Sequence, residues 1–154
     1  MQPTFSEFVS ARLGSGSPSR RLGRMFSRPF TATTFREFWR LWNPAFAYVL
    51  TYFCYAPLRR IVPRIVAFVA TFSISGFLLH DSLVWLALGP QRYPFPVVTV
   101  AFTLIGMLVL GCEAIGLSLC RLPRLLRVAC HIGVIVGAVA VAVCLSHALR
   151  ARAA

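Results

Sequence analysis

Lysine is absent from the 154 residues and acids nearly so: 4 Asp and Glu stand against 16 basic residues, all arginine, for a formal net charge of +12. Only 13% of the chain is charged, 58% is hydrophobic, and the mean hydropathy is +0.74. A soluble domain of this size has no interior large enough to hide that much apolar surface. The 5 cysteines (Cys54, Cys112, Cys120, Cys130 and Cys144) show neither a CxxC nor a Cys/His ligand spacing, so they read as small core hydrophobes and no metal site is expected. A Gly-rich phosphate loop, a GxSxG and an internal repeat are also missing, which leaves nucleotide chemistry and serine hydrolysis without support. In a soluble chain the basic excess would point to nucleic acid; here membrane orientation and contact with membrane lipids account for it, and no nucleic-acid partner is expected.

What is present is apolar runs. Residues 65–79 continue past His80 and Asp81 to Gly89, 93–112 reach on to about 118, and 128–149 form a third run. Each is long enough to cross roughly 30 Å of hydrocarbon at about 1.5 Å per residue. A fourth run, Pro44 to Leu58, has only 15 residues, with Asn43-Pro44 at its start and Pro57 near its end. That length suits a re-entrant or interfacial element.

The arginines report orientation. Seven lie before residue 41, three at 59–64, one at Arg92, three at 121–127 and two at 150–152. If 44–58 does not cross, they split 13 (7+3+3) against 3 (1+2); if it crosses, the best split is 10 against 6. The first option obeys the positive-inside rule better and puts the N-terminus in the cytoplasm. The expected fold is therefore all-α and polytopic. A flexible basic cytoplasmic arm (1–32) precedes a membrane domain (33–154), made of a re-entrant or interfacial stretch (33–60) and transmembrane helices at 65–89, 94–118 and 128–149. Ser, Gly and Arg dominate the arm, which suits contact with anionic lipid. Its SRRLGRMF resembles a twin-arginine signal but lacks the apolar region such a signal needs, while a mitochondrial presequence shares the composition. A lysine-free basic set fits the coding bias of a GC-rich bacterium, and hence a bacterial inner membrane.

His80 stands 15 residues into the run that begins at Ile65, about 22 Å along a helix axis and well inside the hydrocarbon. Burying an ionisable group there costs several kcal/mol, so function is the default reading, with a packing histidine as the plain alternative. An imidazole titrates near neutrality and can take a proton from a hydroxyl and return it to a leaving group. Asp81, one residue on, points about 100° around the helix and is expected to bind a neighbouring helix or the substrate rather than orient His80. A Glu113–His131 contact between antiparallel helices would satisfy both residues as structural glue, and His147 falls near the outer boundary.

The stretch FREFWRLWN (35–43) supplies Arg36, Phe38, Trp39, Trp42 and Asn43, and 37 residues beyond Asn43 comes His80, shortly after a Ser-Gly pair. With YAPLRR (55–60) and TFSISGFLLHD (71–81), this order resembles the membrane-bound O-acyltransferase family, in its wax-synthase-like members, over residues 33–89. The resemblance implies a re-entrant FW-rich motif ending in Asn43 and an apolar helix carrying a catalytic His80. It further implies an acyl-CoA or similar acyl thioester donor used as co-substrate without a bound cofactor. The acceptor would be a hydroxyl-bearing lipid or alcohol, with His80 as general base and Asn43 orienting a reactant or stabilising developing charge. Arg36, Arg40, Arg59 and Arg60 would hold the donor's phosphates, beside Trp39, Trp42 and Asp81 in substrate binding. Read on their own, the arginines are equally positive-inside anchors and the tryptophans belt residues. Two departures stand out. The family usually sets its histidine three residues after the glycine, whereas Gly76 to His80 is four, and it usually has eight or more spans, so the resemblance covers its C-terminal part. The chain is thus expected to be an O-acyltransferase acting alone, as an oligomer or with a partner membrane subunit, or else a non-catalytic membrane protein, a remnant or accessory subunit of a larger complex.

Overall fold

In the computed structural model, residues 2–89 and 95–153 are described, and those described form helices and turns without a strand. The helices in chain order are α1 (Phe5–Leu13), α2 (Pro18–Ser27), α3 (Phe35–Leu41), α4 (residues 44–58), α5 (residues 64–88), α6 (Val97–Ala114) and α7 (Arg124–Ala153). Helix α4 runs from Pro44–Val49 through a π-helical stretch, Leu50–Tyr55, to Ala56–Leu58. Helix α5 likewise runs from Arg64–Gly76 through a π turn, Phe77–Asp81, to Ser82–Leu88.

Among the described residues, three helices are long and apolar enough to cross a membrane: Arg64–Leu88, Val97–Ala114 and Arg124–Arg152. Their ends are set by local chemistry. Pro63 immediately precedes α5, and Pro123 precedes α7, so that α7 starts four residues earlier than its apolar run. Helix α6 stops at Ala114 instead of reaching 118. There Gly116, at φ +66°, lets its own N–H bond the Glu113 carbonyl (3.1 Å) and the Leu117 N–H bond that of Cys112 (2.8 Å). This left-handed cap ends a helix even where the next residues are apolar. The expected beginning of that span at 94, and Arg92, lie outside the described residues.

Helices α5 and α6 are antiparallel and meet through small residues. Gly76 lies against Thr99, Gly106 against Phe72, and the Ser73 and Thr103 hydroxyls are 2.7 Å apart. Helix α7 closes the other side of α6, with Cys130, Val134 and Ala138 packed on a core of Phe35, Ile105, Val109 and Leu119.

The first thirty residues differ from the flexible arm read from composition. Helix α1 opens with a capping box between Thr4 and Glu7 and buries Phe8, Val9 and Leu13, with the Phe8 ring 5.2 Å from Tyr48 and 5.8 Å from Tyr52 of α4. Arg24 of α2 donates to the carbonyls of Leu13 and Ser15, both at 2.9 Å. Aromatic burial and carbonyl acceptors thus offset the entropy that composition alone assigns to such a segment.

Helix α3 begins beside the end of α6, where the Leu119 N–H donates to the Thr33 carbonyl (2.7 Å). Along its length Trp39 meets Phe72 and Phe102, and α4 then packs along α5 and ends just before Arg59 and Arg60.

Candidate active site

His80 is the fourth residue of the π turn in α5. A π turn takes up one residue more than an α turn and commonly marks functional sites. The four-residue interval from Gly76 to His80 falls on this turn. The turn thus accommodates the one residue by which this interval exceeds the usual three.

The His80 ring has two fixed neighbours and an open side. Its Nδ1 lies 3.3 Å from the Ser75 carbonyl, its centroid is 5.2 Å from that of Phe102, and the side chain is exposed on the chain's own surface. A carbonyl oxygen only accepts, so this bond puts the hydrogen on Nδ1, and in the neutral imidazole Nε2 then keeps its lone pair. That tautomer is the one a general base needs.

Asp81 points elsewhere. It is 0% exposed, and its two oxygens are taken by α6: Oδ1 accepts from the Val98 N–H (3.1 Å), and Oδ2 from the Thr99 N–H and hydroxyl (2.6 Å each). It binds the neighbouring helix, and no oxygen is left aimed at a substrate.

The FW-rich stretch reaches this region through α3. The Trp39 ring lies 5.5 Å from Phe72 and 5.7 Å from Phe102, so Trp39 and His80 pack on the same phenylalanine. Trp42 stacks on Phe38 at 5.5 Å. Asn43 takes a left-handed conformation (φ 38°, ψ 78°), from which its Oδ1 accepts the Phe46 N–H at 3.5 Å and caps α4, with Pro44 as the first helical residue. Asparagine tolerates that conformation better than most residues, and a proline at the first position has no N–H to leave unpaired. Asn43 lines a small cavity of about 70 Å³ with Met25, Phe26 and Trp42. Among the described residues no hydrogen bond joins Asn43 to His80.

The arginines divide. Arg36 pairs with Oε2 of Glu113, whose Oε1 is 3.3 Å from Arg64, and the Arg36 guanidinium also sits over the Phe68 ring at 4.8 Å. Arg59 donates to the Val62 carbonyl (3.1 Å), and Arg40, Arg59 and Arg60 are all exposed. Arg36 therefore fastens α3 to α5 and α6, and Arg40, Arg59 and Arg60 carry charge that is open to an anion.

The expected Glu113–His131 contact does not form. Glu113 sits at the end of α6 between two permanent cations, which compete for a carboxylate better than an imidazole does. His131 is 1% exposed, with Nε2 3.2 Å from the Ala32 carbonyl and its ring stacked on Phe38 at 4.6 Å. It remains structural glue, but to the segment leading into α3. His147 is exposed.

The family model described as membrane bound O-acyl transferase family matches residues 22–106, more than half of the chain. The chain belongs to the membrane bound O-acyl transferase family. The match takes in the FW-rich stretch, the π turn with His80 and the first part of α6 with Phe102. No curated protein and no solved structure matches the chain. Membership gives this integral membrane protein an O-acyltransferase kind of activity.

Phe102, Thr99 and the Ser75 carbonyl were not among the residues singled out from sequence. Thr99 and Thr103 had left a signal, as two hydroxyls four residues apart on one face of an apolar helix. Phe102 left none, because an aromatic in such a run reads equally as lipid-facing.

Proposed function

We propose that this acyltransferase moves an acyl group from a thioester such as acyl-CoA to the hydroxyl of a lipid or alcohol, with His80 as general base. The observation that carries the reading is the Nδ1 contact with the Ser75 carbonyl, which leaves Nε2 free to accept a proton. Nε2 takes the proton of the acceptor hydroxyl as its oxygen attacks the thioester carbonyl. The tetrahedral intermediate then collapses with cleavage of the C–S bond, and the proton on Nε2 passes to the leaving thiolate. Asn43, Trp39 and Trp42 orient the reactants from the re-entrant side, and Arg40, Arg59 and Arg60 attract the donor's phosphates at the cytoplasmic mouth. The exposure of His80 on the chain's own surface favours action inside an assembly, with further copies or a partner membrane subunit enclosing the reactants. The cytoplasmic N-terminus and the bacterial inner membrane belong to the same proposal.

Membranes containing the chain, supplied with acyl-CoA labelled in the acyl group, test it. Ester formation that requires an added long-chain alcohol or hydroxyl lipid and releases an equal amount of CoA thiol is expected. Release of CoA without any acceptor-dependent ester, or no turnover with any donor, would favour the accessory-subunit reading.

A further inference from the structure

The first turn of α6 serves two neighbours on α5. Among the described residues, Val98 and Thr99 supply the hydrogen bonds that Asp81 accepts, and Phe102, three residues on and on the same face of α6, supplies the wall against which His80 rests. Gly76, just before the π turn, comes so near that a Cβ there would lie 2.6 Å from the Thr99 Cα. The two helices are thus locked backbone to backbone immediately before the turn and through a buried carboxylate immediately after the histidine. The intervening π turn, Phe77–Asp81, has one residue more than an α turn would hold. Its register is therefore not dictated by the α-helix and is determined where it is pinned.

From this we infer that Asp81 is a positioning residue for His80: its carboxylate holds the π turn against α6 and so keeps the imidazole on the Ser75 carbonyl with Nε2 bare. The inference rests on the reading of His80 as general base, but its mechanical content is separate. Without the clamp the turn relaxes, the ring leaves Phe102, and the Nδ1 bond to Ser75 is no longer enforced. Asparagine in place of Asp81 keeps the volume but sets an N–H against the N–H donors of Val98 and Thr99.

The experiment compares wild type, Asp81→Asn and Thr99→Val in lipid, with histidine labelled in both ring nitrogens and the His80 signals assigned by their loss in His80→Gln. Nitrogen-15 spectra separate protonated from bare ring nitrogens and need no activity. Wild type is expected to show Nδ1 protonated and Nε2 bare. Asp81→Asn is expected to show a mixture of tautomers, and Thr99→Val, which loses one of the three bonds, an intermediate result and serves where Asp81→Asn does not accumulate. In turnover, kcat should fall about 10²-fold in Asp81→Asn, the scale for a reactive group displaced by about 1 Å, with KM little changed. Both variants keeping the wild-type tautomer would overturn the inference, even if activity were lost. Absent turnover in wild type together with a changed tautomer in the variants would instead sink the acyltransfer chemistry while leaving the positioning role intact.

Discussion

Gly76 faces Thr99 across the α5–α6 interface with no room for a side chain: a Cβ on the glycine would lie 2.6 Å from the threonine Cα and 2.9 Å from the Val98 carbonyl oxygen. Both contacts are backbone, which no rotamer change relieves. Gly76→Ala should therefore push the helices apart and lower stability by about 1–3 kcal/mol or more, the range for overpacking a tight core. Thermal unfolding in detergent checks this, and a variant as stable as wild type would mean that the helices are not in that contact.

Glu113 closes on Arg36 and Arg64, at side-chain exposures of 35–60%. Pairs this open are worth only about 0.2–1 kcal/mol each. Glu113→Gln should therefore leave the fold intact but loosen α3. Hydrogen exchange of residues 35–41 should rise while that of α5 and α6 stays as in wild type. Unchanged exchange in α3 would show that its aromatic contacts suffice without the ion pairs.

His131 holds the entry to α3 through the Ala32 carbonyl and the Phe38 ring. His131→Ala should cost about 0.6–2 kcal/mol for the hydrogen bond from α7 to the segment before α3, plus the loss left by the vacated stack. Unfolding of the purified variant measures it, and transfer per folded molecule should be retained.

The membrane helices were legible because each is a long uncharged run, and the all-α class came with them. Their ends were less so, since hydropathy continues past Gly116 while the backbone does not, and Pro123 starts α7 before the apolar residues begin. The structure of the first thirty residues was hidden because it depends on the burial of Phe8, Val9 and Leu13, with Phe8 meeting Tyr48 and Tyr52 about forty residues away. At the candidate site, His80 could be read from the cost of an intramembrane imidazole. Its four-residue distance from Gly76 could not be resolved without seeing the π turn. Glu113 was assigned the wrong partner because helical spacing places a residue at a depth but does not say which neighbour approaches it; α3 brings Arg36 there.

The re-entrant course expected for 33–60 has its own test. Single cysteines introduced near residues 20 and 61 in a cysteine-free chain should both react with a membrane-impermeant reagent from the same face, because 44–58 is expected not to cross. Labelling from opposite faces would mean that 44–58 crosses, and the arginine split of 13 to 3 would be lost.

The most direct measurement sets His80→Ala beside His131→Ala and compares acyl transfer per inserted, folded molecule. Loss of a general base typically costs 10²–10⁴-fold. Transfer should fall by about that factor in His80→Ala, which should still insert, and should persist in His131→Ala despite its lower stability. Retention of most transfer by His80→Ala, with loss in His131→Ala, would contradict the assignment of His80 as the base.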